Sequence, residues 1–169
     1  MVEQQRHKLA RLVNALDDCY REVASRAART RAGIASHSFA PYHAYRASID
    51  EYYALAAVIR ASLDASGAKE ATRIQEQLLA RERLMLKLMI RASMDFFFAL
   101  SAIPILPFGT RECFAQELQS MSSAHQRLRA PEHEGKLPAD LEQDLEVSEE
   151  ILAEVMHKAP ALISFDPVP

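Results

Sequence analysis

RLMLKLMIRASMDFFFAL, residues 83–100, is the stretch that decides how this chain folds. Its charges fall only at Arg83, Lys87, Arg91 and Asp95, a row at every fourth position that forms one narrow stripe along a helix. All the other positions, from Leu84 through Met85, Met89 and Ile90 to the triple Phe96-Phe97-Phe98, are apolar or small. A helix apolar around most of its circumference has to be covered on most sides. The segment from about Lys69 to Ile103 is therefore predicted as a long, central, apolar third helix. Its charged stripe needs an outlet to water or to acids, because an unpaired buried charge is costly.

On either side of this segment, apolar residues recur at steps of four and three, the spacing that lines one helical face. Leu9, Val13, Leu16, Tyr20, Val23 and Ala27 form one seam; Tyr45, Ile49, Tyr52, Ala56, Ile59 and Leu63 form the next. After the third helix come Phe114, Leu118, Met121, His125 and Leu128, then Leu141, Leu145, Ser148, Leu152 and Val155. No stretch alternates with period two, so no strand is predicted. The fold class is all-α: a single-domain, up-and-down bundle of about five helices over residues 1–159, with an irregular Pro-rich tail at 160–169.

Helix punctuation follows the same scheme. Gly33 and Gly67 are placed to end the first two helices, and Ile34–Pro41 reads as a connection. Pro104 stops the third helix, and Gly109 with Thr110 supplies a turn and an N-cap for the fourth. Ala130–Gly135 reads as a polar linker. Pro138 sits in a first turn, with Asp140 and Glu142 facing the positive end of the fifth helix.

Composition excludes several classes. The 169 residues are 49% hydrophobic and 25% charged, ordinary globular values that rule out wholesale disorder. A net charge of −3 gives no basic field to attract nucleic acid, and no Trp is present for stacking on bases, so nucleic acid is not an expected partner. Cys19 and Cys113 are the only cysteines and read as two thiols, although one bridge between them is not forbidden. MVEQQRHK at the N-terminus leads into no apolar run. The uncharged stretch Phe96–Phe108, broken by Pro104 and Pro107, falls short of the ~20 residues a membrane span requires. A cytoplasmic location is expected.

The motifs that carry chemistry are sparse. A ferritin-like metal site needs Glu-x-x-His on two helices; only Glu154-x-x-His157 has that spacing, so neither a metal nor another cofactor is expected. His125 falls within an apolar seam and reads as a hydrogen-bonded core histidine. With four Gly in the whole chain, no phosphate-cradling glycine loop can be built. Ser66-Gly67-Ala68-Lys69 matches a serine-acylase string but spans a glycine turn and reads as a cap.

Arg31 and His37 are five residues apart, as are Arg127 and His133. An arginine followed after four to six residues by histidine resembles the active-site motif of HEPN-type ribonucleases, themselves small helical bundles. That resemblance implies Arg31 on the phosphoryl charge and His37 orienting the attacking 2′-hydroxyl.

Two features point instead to binding. Charge is segregated: Arg26, Arg29, Arg31 and Arg46 stand without an acid between Val23 and Ile49, whereas Glu132–Glu154 is strongly acidic with Lys136 as its single base. The connection Ile103-Pro-Ile-Leu-Pro-Phe108 is wholly apolar where loops are ordinarily polar. It either folds back over the core or stands out as a docking patch. The expectation is a non-catalytic helical protein acting by protein–protein interaction, as an adaptor, chaperone or regulator. Its partner-binding residues are Phe96, Phe97, Ile105, Leu106 and Phe108, and it forms a homodimer through the same end. The alternatives are the HEPN-like ribonuclease and a bundle that encloses a small apolar ligand beside Met85, Met89 and Phe97.

Overall fold

The computed structural model describes residues 2–63 and 68–163, without the side chains of 2–6, 68–70, 156 and 158–163. Among the described residues, five α-helices and no strand are present: α1 (Val2–Ala35), α2 (Ala40–Leu63), α3 (Ala68–Ser101), α4 (Thr110–Leu128) and α5 (Ala139–Ile163). A short 3-10 turn, Pro131–His133, precedes α5. The chain is an all-α bundle.

Side-chain pairs give the directions of the first four helices. Tyr53 reaches Met89 and Arg60 reaches Glu82, so α2 descends as α3 climbs. Ser93 meets Glu117 and Glu82 meets Arg127, so α4 descends again. Asp17 takes Arg81 and Arg31 covers Phe98, so α1 and α3 run the same way. Helix α3 packs against all four of the others. Its cover is incomplete, because Leu84 and Phe98 remain exposed.

The seams explain the core. Every residue of the α2 seam, Tyr45 to Leu63, is buried, and Leu9, Val13, Leu16 and Val23 of α1 pack opposite. The stripe on α3 finds its outlet in the acidic fifth helix. Lys87 pairs with Asp140, and Arg91 donates to Asp144 at 2.6 Å and to Asp140 at 3.3 Å. Asp140 therefore serves these bridges as well as the N-terminal dipole, and Lys87 holds its carboxyl below the ordinary range.

Several boundaries differ from the sequence expectation. Helix α1 runs through Gly33 to Ala35, and α2 begins at Ala40, so the Ile34–Pro41 connection shrinks to four residues. The cap is a Schellman motif: the Ser38 N–H donates to the Gly33 carbonyl at 2.8 Å and the His37 N–H to Ile34 at 2.9 Å. The left-handed C′ position belongs to His37, with φ 59°, rather than to Gly33. Gly33 is needed for space. A Cβ there would stand 2.7 Å from Pro41 Cγ and 2.9 Å from the Ser38 carbonyl oxygen. Gly67 lies outside the described residues. Helix α5 continues past Pro160 to Ile163, so part of the expected irregular tail is helical. The N-cap of α4 is Gly109 at φ 85°, and the Thr110 hydroxyl donates back to the Pro107 carbonyl at 2.6 Å.

Candidate interaction surface

Two prolines build the end of the bundle between α3 and α4. The α3 backbone tightens as it ends, with Ala102 N–H donating to Ala99 and Ile103 N–H to Leu100. Pro104, which has no N–H to give, stops it there. At the far side, Thr110 bonds Pro107 through both its N–H and its hydroxyl, closing a tight turn that Gly109 makes possible. Between these anchors the chain stands out from the bundle.

Ile103 folds back onto the core and Pro107 is half-buried. Ile105 is 73% exposed, Leu106 57%, and Phe108 is fully open to water at 104%. Phe98, on the last turns of α3, is 59% exposed. Exposed apolar surface that runs on through neighbouring residues marks an interaction site, whereas scattered single residues do not.

The three phenylalanines separate as a 100° turn per residue requires. Phe96, expected on the partner face, is instead 1% exposed and lies in the core, with ring centroids 4.9 Å from Tyr42 and 6.4 Å from Phe39. Phe97 is half-buried, edge-on to Phe114 at 5.2 Å. Phe98, absent from the expected set, takes the outward direction. Sequence pattern held that signal: Phe96 is in line with Met85, Met89 and Ser93 on the buried face, and Phe98 lies opposite.

The rim of this end carries both signs of charge. Arg31 and Arg111 are exposed on one hand, Asp95 and Glu112 on the other. The Arg31 guanidinium carbon sits 5.1 Å from the Phe98 ring centroid.

The ribonuclease-like pairs are placed differently. Arg31 and His37 are both exposed, but among the described residues no hydrogen bond or ion pair joins them. Arg31 lies over Phe98, and His37 caps α1. In the second pair, Arg127 turns inward onto Glu82 and lies 4.6 Å over Tyr53, while His133 is buried with neither ring nitrogen bonded. Burial pushes the His133 imidazole below its usual range. Met85 and Met89 are core residues, and the groove that Met89 borders is open and mostly polar rather than a closed apolar pocket. Among the described residues, no three His, Cys, Asp or Glu side chains are grouped to hold a metal, and no helix is long and apolar enough to cross a membrane.

No protein-family model, curated protein or solved structure matches this chain.

Proposed function

We propose that the protein works by protein–protein interaction, as an adaptor, chaperone or regulator rather than an enzyme, and that it docks through the apolar end of the bundle. The observation that carries this reading is the joint exposure of Phe98, Ile105, Leu106 and Phe108 on one end. A second copy of the chain is the occupant the surface fits. With Phe-sized side chains offering about 150–250 Å² each, the four present on the order of 500 Å² of apolar area. Two such patches approach the ~1,200 Å² at which specific interfaces begin, and the polar rim adds to that. The rim supports a two-fold arrangement, because Arg31 and Arg111 of one copy can meet Asp95 and Glu112 of the other. A cytoplasmic setting, where Cys19 and Cys113 would remain the free thiols they are here, belongs to the same reading.

An NMR dilution series tests it. Amide signals of Ile105, Leu106 and Phe108 are expected to move together with protein concentration while those of buried α2 residues stay fixed. Signals at this end that are unchanged over the series would contradict the reading.

A further inference from the structure

A groove of about 640 Å³ runs between α2 and α4, which contribute most of its walls. We propose that this groove binds a small anionic molecule, one carrying a phosphate or carboxylate group, held by Arg46 and Arg127. Its volume falls within the ~300–1,000 Å³ typical of small-molecule sites.

Both arginines line the groove, and each is held by neighbouring side chains. Arg46 Nη1 donates to Ser120 Oγ at 2.6 Å. Its contact with buried Glu117 is loose, 3.9 Å from Nη1 to Oε2, beyond hydrogen-bond range. Arg127 is fixed more firmly, by Glu82 and by the face of Tyr53. Glu82 also accepts from Arg60 at 2.7 Å, so one carboxylate serves two guanidiniums. An arginine has five N–H donors in a rigid fork, and these bonds occupy few of them. Phosphate and carboxylate are the groups that such forks take in pairs of bonds.

The α4 wall between the two arginines is neutral and polar. Gln116, Gln119 and Ser123 line it, and their side chains make no hydrogen bond among the described residues. Behind Arg46 and Ser120, Glu117 Oε2 and the Tyr45 hydroxyl are buried without a hydrogen-bond partner. Unsatisfied buried polar atoms are rare in folded proteins, and two of the five among the described residues stand in this layer behind the groove, the others being on His125 and His133. The single acid among the lining residues is Asp50, exposed on the α2 wall. It opposes an anion and supplies the decisive test.

The experiment is an NMR titration of the full chain with inorganic phosphate and, separately, with citrate, at ionic strength held constant with sodium chloride. Saturable shifts confined to residues 43–53 and 116–127 are expected with at least one of the two, and which one responds identifies the anionic group. Asp50→Asn, at an exposed position whose side chain has no partner among the described residues, should tighten binding several-fold. Arg127→Gln should weaken it roughly tenfold, the loss of one charge-assisted pair of bonds. Shifts that rise linearly with both probes, or an affinity that Asp50→Asn leaves unchanged, would overturn the proposal.

Discussion

Arg31 lies over the ring of Phe98, its guanidinium carbon 5.1 Å from the ring centroid, and this contact gives both residues a structural role at one end of the bundle. The arginine shields one face of an exposed aromatic ring and presents charge at its edge. Such cation–π contacts contribute about 0.5–1 kcal/mol at exposed sites. Arg31→Ala should therefore lower the melting temperature by roughly 1–4 °C, using the ~2–4 °C per kcal/mol of a domain this size. An unchanged melting temperature would show that the contact contributes nothing in solution.

The α1–α2 corner makes two opposite predictions four residues apart. A methyl group at Gly33 meets Pro41 and the Ser38 carbonyl oxygen at under 3 Å, so Gly33→Ala should cost about 1–3 kcal/mol, the usual penalty of overpacking. At His37 the strain is of the backbone, at φ 59°. His37→Gly removes it and should stabilise by about 1 kcal/mol. Paired denaturant melts measure both; shifts of the same sign would contradict the account of this corner.

Glu117 predicts a pH dependence. It is fully buried; its Oε1 and the Met89 carbonyl both lie within reach of the single Ser93 hydroxyl proton, at 2.6 and 2.9 Å. Burial raises its carboxyl above the ordinary value of 4.5, against the opposing pulls of Ser93 and Arg46. A carboxyl raised in the folded state binds more protons there than in the unfolded chain. Its contribution to stability is thus intact below 4.5 and declines as pH climbs through the folded value. Glu117→Gln cannot titrate, so the stability of the variant relative to wild type should increase from pH 4 to pH 7.5. Thermal melts at the two pH values decide it, and a relative stability that falls with pH would refute it.

The bridges from α3 predict a local effect on α5. Lys87→Glu places two acids against each other at Asp140 and leaves Arg91 as the α3 partner of Asp140 and Asp144, with the buried Leu141 and Leu145 beneath. Hydrogen exchange of the α5 amides should accelerate, and that of α2 should not. Equal acceleration in both helices would mean that the bridges support the whole bundle.

Much of this fold was legible because each helix buries one face. Tyr45, Ile49, Tyr52, Ala56, Ile59 and Leu63 recur at helical steps, and all six are in the core. What periodicity could not supply was contact between distant segments. The need for Gly33 comes from Pro41 approaching it, not from the end of its own helix. The pairing of Lys87 and Arg91 with Asp140 and Asp144 spans most of the second half of the chain, so the charges showed only that some acid was required. The exposed end was half legible. Ile105, Leu106 and Phe108 stand out, one of the two placements that the apolar loop left open, while Phe96 and Phe98 exchange roles because rotation along α3 turns one inward and the other to water. The α2–α4 groove combines residues from two seams' outer sides and leaves no pattern in either.

Sedimentation equilibrium on wild type, Phe108→Asp and Leu106→Asp tests the central claim most directly. Both positions are exposed in the single chain, so neither substitution disturbs the core. Each apolar side chain returned from water restores roughly 1.5–3 kcal/mol, and this burial is what drives the association. The account predicts a wild-type mass that rises to twice 19.0 kDa with concentration, and variants that stay at the single-chain mass. A wild type that remains monomeric at high micromolar concentration would contradict it.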